Sequence, residues 1–195
     1  MVLLKREKDR LKELLKQILD RELSYSSQNP AAILFPLMIE DRVKLVMIMR
    51  QKNLRRSAGH IAFPGGIREE TETPVETALR EAEEELGIKA SEVEIPGYLS
   101  PKVVIESRIK IHPVVGVFDS QEIIPDTYEV RRVLVDDLMR VLKSRKIADW
   151  GPNFECGGEL VWGASSRILD DFYLRIIKNF GSVSEFERAV YYTNG

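Results

Sequence analysis

Residues 66–88 read GIREETETPVETALREAEEELGI, and both ends of a helix are written into them. Thr73 and Glu76 form a capping box, in which each side chain accepts a hydrogen bond from the other's backbone N–H. Pro74 takes the first helical position, where its missing N–H costs nothing. Gly87, directly after Leu86, supplies a left-handed stop. The pattern predicts a helix over 74–86. At 100° per residue Val75, Leu79, Ala82 and Leu86 fall in one stripe, the expected buried face. Glu81 and Glu85 project together beside that stripe, with Glu84 further round and adjacent to Glu81. Glu76, Arg80 and Glu83 occupy the other flank, where Glu76 and Arg80 are spaced to pair at i,i+4.

Glu81, Glu84 and Glu85 repel one another at these spacings. A solvated acidic face is the ordinary reading of such a helix. Three features point elsewhere: the pair lies at the core boundary, the helix is capped at both ends, and a glycine-rich segment, Gly59 to Gly66, leads straight into it. A hard divalent cation, Mg²⁺ or Mn²⁺, would remove the repulsion while keeping several waters of its own.

Outward from this helix the chain alternates irregularly between strand and helix patterns. A charged amphipathic helix is expected over 3–23, with Leu4, Leu11, Leu14, Leu15, Ile18, Leu19 and Leu23 near one side, as a packing or dimer-contact element. After a polar linker come strands at 31–40 and 43–50, joined by a tight turn at Asp41-Arg42. Further strands are expected near 93–99, 109–118 and 129–135, then a helix over 136–144. A hairpin is expected around 154–162 and a last helix over 165–179. No regular βαβ alternation is present, so the class is α+β. The division expected is an N-terminal helix over 1–24 and a second unit over 25–195.

The length of 195 residues suits one domain with decorations. A net charge of −2 gives no reason to expect nucleic acid or an anionic membrane as partner. One cysteine, Cys156, excludes an intramolecular disulfide and a multi-cysteine zinc site. The charged N-terminus lacks a signal-peptide core, and the longest apolar run, 31–39, is too short to span a bilayer. A cytoplasmic protein is the reading these features support, with a homodimer as one candidate assembly that the sequence does not decide.

The segment from Gly66 through Glu72 to Arg80-Glu81-Ala82-Glu83-Glu84-Glu85-Leu86-Gly87-Ile88 resembles the Nudix box: G, five residues, E, seven residues, then R-E-U-x-E-E-x-G-U with U a bulky aliphatic. Every fixed position matches, and Ala82 stands at the first U position. The resemblance implies a mixed β-sheet sandwiched between α-helices, with the box as a loop–helix–loop. It also implies roles: Glu81 and Glu85 as main metal ligands, Glu84 as a further one, and a carbonyl of Gly65 or Gly66 as another. Glu72 and Arg80 would brace the loop on the helix, and Glu81 or Glu84 would orient or deprotonate the attacking water.

A narrower resemblance covers Arg50-Gln-Lys-Asn-Leu-Arg55-Arg56-Ser-Ala-Gly59-His-Ile-Ala-Phe63-Pro64-Gly65-Gly66, which is similar to the signature preceding the box in coenzyme A pyrophosphatases. Ile48 departs from a usual threonine and Gln51 from a usual small residue. With His112–Gly116, Glu129-Val130 and Val161-Trp162-Gly163, the likeness runs from about 43 to 175. It implies a small-molecule substrate, coenzyme A or a derivative, cut to 3′,5′-ADP and 4′-phosphopantetheine. Arg50, Arg55 and Arg56 would hold its phosphates, because guanidinium forks match phosphate oxygens; Lys52 is expected to be merely exposed. Rival readings are another nucleoside diphosphate derivative such as ADP-ribose, a nucleoside triphosphate, or a nucleotide-binding module without activity. His60 reads as a surface loop residue, Trp162 as core, Glu129 as a strand-end surface residue or extra ligand, and 100–107 as the loop over the substrate.

Overall fold

The computed structural model describes residues 2–23, 30–52, 59–69, 71–104 and 107–192. Its elements are, in order, α1 (Val2–Ile18), β1 (Pro30–Ile39), β2 (Val43–Arg50), β3 (Ile61–Ala62), β4 (Gly65–Ile67) and α2 (Pro74–Leu86). There follow β5 (Glu94–Tyr98), β6 (Lys102–Val103), β7 (Lys110–Asp119), β8 (Val130–Asp137) and α3 (Leu138–Lys143). The chain closes with β9 (Lys146–Ala148), β10 (Gly151–Cys156), β11 (Glu159–Val161), α4 (Gly163–Phe180) and α5 (Val183–Tyr191).

The main sheet runs β3-β2-β1-β7-β5, with β4 on β1, β6 on β7 and β8 on β2. β1 and β7 are parallel over their whole length, from Pro30↔Lys110 to Ile39↔Asp119, and the other pairings are antiparallel. The sheet is therefore mixed, as the resemblance implies, and no regular βαβ alternation is present, in keeping with the α+β class. β9, β10 and β11 form a separate small antiparallel sheet.

Both faces of the main sheet are covered, which is why β1 reads as a continuous apolar run. Alternate side chains divide between the two sides. Ile33, Phe35, Leu37 and Ile39 join a large cluster with Leu11 and Leu15 of α1, Leu138 of α3, Phe172 of α4 and Phe186 of α5. Ala32, Leu34 and Met38 face the other way, against Ala78, Ala82 and Leu86 of α2. The sheet is thus sandwiched between helices, with α2 on one side. Among the described residues no helix is long and apolar enough to cross a membrane.

Four local expectations need correction. The first helix ends at Ile18, not Leu23, because the chain turns to pair with the sheet: Asp20 and Tyr98 exchange both backbone hydrogen bonds at 3.0 Å. Arg175 of α4 completes this end, donating to the Ile18 carbonyl at 2.8 Å and to Asp20. Part of the expected substrate loop, Lys102–Val103, pairs with β7 as a strand, while residues 105 and 106 lie outside the described residues. The helix expected to be last, 165–179, begins at Gly163 and is followed by α5. Its start signal is present in the sequence, since the Ser182 side chain accepts the Glu185 N–H at 3.1 Å. Fourth, Trp162 is not core: it is 45% exposed.

Candidate active site

α2 carries the site, and its ends behave as the sequence predicts. Thr73 accepts the Glu76 N–H at 3.3 Å, and the Glu76 carboxylate accepts the Thr73 N–H at 2.7 Å. Gly87 adopts φ 68°, gives its N–H to Glu83, and the next N–H, of Ile88, reaches the Ala82 carbonyl. The rotation of the helix differs from expectation. Its buried residues are Pro74, Thr77, Ala78, Ala82, Glu85 and Leu86, while Val75 and Leu79 are only partly buried at the margin. Two alanines at the centre of the contact let the helix approach the sheet closely, and the larger Leu79 is displaced to the edge. Glu85, expected beside the stripe, is therefore inside it at 2% exposure.

A buried carboxylate requires partners, and Glu85 has two. Its Oε2 accepts the Gly65 N–H at 2.9 Å, and its Oε1 accepts Arg50 Nη1 at 3.2 Å. Burial pushes its pKa up to about 7; the Gly65 N–H and Arg50 oppose that rise, and the charges of Glu81 and Glu129 add to it. Glu81 is also raised, first by burial and then by Glu84 and Glu129, with Arg80 acting against. The two glutamates thus share a desolvated, negatively charged corner between α2 and β4.

Arg80 does not pair with Glu76, whose carboxylate is committed to the cap. It forks onto Glu72 instead, Nε to Oε1 at 2.6 Å and Nη2 to Oε2 at 3.2 Å. From its far side Nη1 reaches Glu81 at 2.9 Å and Glu84 at 3.0 Å. Glu72 also accepts from the Glu69 N–H and the Thr77 hydroxyl. Arg80's hydrogen bond, with those of Glu69 and Thr77, outweighs burial and holds the Glu72 carboxyl at about 2. Glu72 and Arg80 thereby tie the loop before α2 to the helix.

The two glycines contribute differently. A Cβ on Gly66 would fall 2.5 Å from the Glu81 carboxyl carbon and 2.8 Å from its Oε2, so only glycine lets that carboxylate lie against the loop backbone. A Cβ on Gly65, at φ 156°, would strike the backbone of β1, with Ile33 Cα at 2.6 Å. Gly65 is tied to Glu85 through its N–H.

Arg50 is brought to the cluster, its Nη2 also lying 3.7 Å from Glu129. Lys52 is exposed, and Arg55 and Arg56 lie outside the described residues. The departures from the signature have local reasons. Ile48 is fully buried against the α2 side of the sheet, where an apolar side chain suits the packing. Gln51 gives its side-chain amide to the Thr127 carbonyl at 2.9 Å and its N–H to the Glu129 carbonyl at 2.8 Å.

That second contact belongs to a feature with no sequence signal. The segment between β7 and β8 closes the C-terminal end of α2, Ile124 N–H on the Leu86 carbonyl and Asp126 N–H on the Glu85 carbonyl. It fixes Glu85 from behind and delivers Glu129 to the site. Cys156 is buried, and burial pushes its thiol up to about 12, which removes it from nucleophilic chemistry.

Among the described residues no three acidic, histidine or cysteine side chains already ring a common point at metal-ligand spacing. Arg80 and Arg50 act as counter-ions to the carboxylates. The donor set nevertheless fits a hard cation: oxygen ligands only, two of them desolvated and mutually repelling. A groove of about 490 Å³ lined by Glu72, Arg80 and Glu84 runs on the flank of α2, and Glu81, Glu85 and Arg50 do not line it. It is not where these groups converge.

A loop–helix–loop with this glutamate arrangement, on a sandwiched mixed sheet, has a counterpart among known families: a NUDIX domain model matches residues 28–151. The chain belongs to the Nudix family. Within it, the uncharacterised Nudix hydrolase NudL of Escherichia fergusonii is 41% identical over 106 residues, 54% of this chain and 54% of that protein. Nudix hydrolase 3 of Caenorhabditis elegans is 35% identical over 106 residues, 53% of this chain and 44% of that protein. The Nudix chain spans about half the length of the curated relatives it matches. Among solved structures, a MutT/nudix family protein from Enterococcus faecalis aligns over 94% of this chain and 77% of its own, with a TM-score of 0.54 and 16% identity. That likeness concerns the fold alone.

Proposed function

We propose that this Nudix protein is a metal-dependent hydrolase that cuts the diphosphate linkage of coenzyme A or its derivatives, releasing 3′,5′-ADP and 4′-phosphopantetheine or its acyl form. The observation that carries the hydrolase reading is the joint placement of Glu81 and Glu85 against the Gly65–Gly66 backbone, with Arg50 on the same carboxylate. The coenzyme A reading rests on the Arg50-to-Gly66 segment and its similarity to that subfamily.

Glu81, Glu84 and Glu85, with a carbonyl of Gly65 or Gly66, would hold Mg²⁺ or Mn²⁺. The ion would supply Lewis-acid polarisation of the diphosphate and acidification of a water. The chain's own residues do the rest. Glu81, raised by burial and already at the loop, is placed to accept a proton from the attacking water, with Glu84 as the other candidate. Arg50, beside Glu85, suits the diphosphate, which leaves Arg55 and Arg56 for the separate 3′-phosphate. Glu72 and Arg80 act by positioning, since Arg80 touches both Glu81 and Glu84.

A panel of coenzyme A, dephospho-coenzyme A, ADP-ribose and nucleoside triphosphates, assayed with Mg²⁺ and with Mn²⁺, tests this. The highest kcat/KM is expected on coenzyme A or an acyl form, with dephospho-coenzyme A poorer by about one to two decades for a lost charge-assisted phosphate contact. Preference for ADP-ribose or a triphosphate would overturn the substrate and leave the family standing. No hydrolysis of any of them would overturn the enzyme reading in favour of a binding module.

A further inference from the structure

Trp162 sits at the end of β11, as the residue that opens α4, and nearly half of its surface is open. It is not loosely held. The His60 ring packs on it with centroids 4.5 Å apart and planes at 53°, a close aromatic contact. His60 in turn is fixed by the sheet. Its carbonyl accepts the Arg50 N–H at 3.0 Å, continuing the β2–β3 register of Ile48↔Ala62 and Met49↔Ile61. Directly opposed residues of an antiparallel pair lie about 5 Å apart and point to the same face. That face is the α2 side, because Ile48 and Ala62 pack in the cluster with Ala78 and Ala82, and because the Arg50 guanidinium reaches Glu85. An unbroken row therefore runs from the glutamates through Arg50 and His60 to a propped, solvent-facing indole.

The geometry points to Trp162 as the stacking platform for a planar ring of the substrate, the nucleobase, with His60 as the residue that positions it. This rests on the hydrolase reading above, in which the diphosphate lies at Glu81, Glu85 and Arg50. A base joined to that diphosphate through one ribose extends past His60 along the row, to the indole. Stacking of this kind is tolerant of base identity, so the platform adds affinity for nucleotides as a class.

The chain contains two tryptophans, and Trp150 stands apart in the exposed turn between β9 and β10. In a Trp150→Phe background Trp162 becomes the one tryptophan, and red-edge excitation isolates its emission from that of the tyrosines. AMP is expected to change its emission saturably, and ribose 5-phosphate is not. With the substrate that the protein turns over, Trp162→Ala should raise KM roughly 5- to 150-fold at nearly unchanged kcat, and Trp162→Phe should restore most of that loss. Melting temperatures of both variants separate a folding defect from a binding one. Absence of an AMP response, an equal response to ribose 5-phosphate, or an alanine defect that phenylalanine fails to repair would each overturn the platform. The emission experiment needs no turnover, so its failure is distinct from failure of the coenzyme A reading.

Discussion

Gly65 and Gly66 are neighbours in one loop, yet alanine should do opposite things at the two positions. At Gly66 the added Cβ meets the Glu81 carboxyl, with Cδ at 2.5 Å and Oε2 at 2.8 Å. These atoms are the far end of a flexible chain, so Glu81 swings away and the fold survives. The displacement is of the order of an ångström, and a misplacement of that size can cost about 10²-fold in rate. At Gly65 the same atom meets backbone, Ile33 Cα at 2.6 Å and the Ala32 carbonyl oxygen, which cannot yield without parting β4 from β1. Overpacking costs about 1–3 kcal/mol, and a φ of 156° in a region nearly reserved for glycine adds about 1–3 kcal/mol more. Together that is about 2–6 kcal/mol, or roughly 4–24 °C in melting temperature for a chain of this size. Gly66→Ala should accordingly melt within a few degrees of wild type and lose about two decades of kcat. Gly65→Ala should melt far lower. Differential scanning calorimetry with steady-state hydrolysis at saturating Mg²⁺ reads both quantities. Full turnover in Gly66→Ala, or equal melting of the two variants, would refute the placement of Glu81 against the loop.

Two further outcomes follow from α2 and its brace. Glu72 has a depressed folded pKa of about 2, so its contribution is present above the unfolded value near 4.3 and is lost as pH falls toward 2. Urea unfolding of Glu72→Gln should show a deficit on the order of 1–2 kcal/mol at pH 7 that shrinks below pH 4; a pH-independent deficit would mean that its charge is not what matters. Leu79, only partly buried, should lose about 1 kcal/mol on truncation to alanine, below the range for fully buried leucines, whereas Ala82→Leu should cost about 1–3 kcal/mol or more by overpacking the helix–sheet contact. The reverse ranking in thermal melts would restore the original stripe and displace Glu85 from the interior.

Where a residue's structure is decided by near neighbours, the sequence is readable. Thr73, Pro74 and Gly87 specify the ends of α2 through contacts within four residues, and those ends fall where expected. The apolar runs of β1, β2 and β7 are similarly self-evident, since strands covered on both faces need only be apolar throughout. α5 was legible too, through Gly181, Ser182 and Glu185, although its short amphipathic pattern is easily merged with the preceding loop. The setting of Trp162 was not legible, because the ring that packs on it is His60, a residue about a hundred positions earlier that meets it only in the folded sheet.

Glu85 shows why the rest was hidden. On a helical wheel a glutamate beside an apolar stripe is assigned to the boundary, because burying a carboxylate without partners costs several kcal/mol. Its partners are Gly65, twenty residues earlier, and Arg50, thirty-five residues earlier, on two different strands. Only the closed sheet presents both to one side of α2. The alanines at 78 and 82, which weaken the stripe as a hydrophobic signal, bring the helix near enough for Glu85 to reach the Gly65 N–H. Weak apolar patterning and the buried acid are thus one feature: the helix gives up core volume at its centre to set a carboxylate against the loop. A local rule broken with evident compensation is a mark of a functional position. Here the compensation is a backbone N–H and a guanidinium, two donors that keep the buried acid paired.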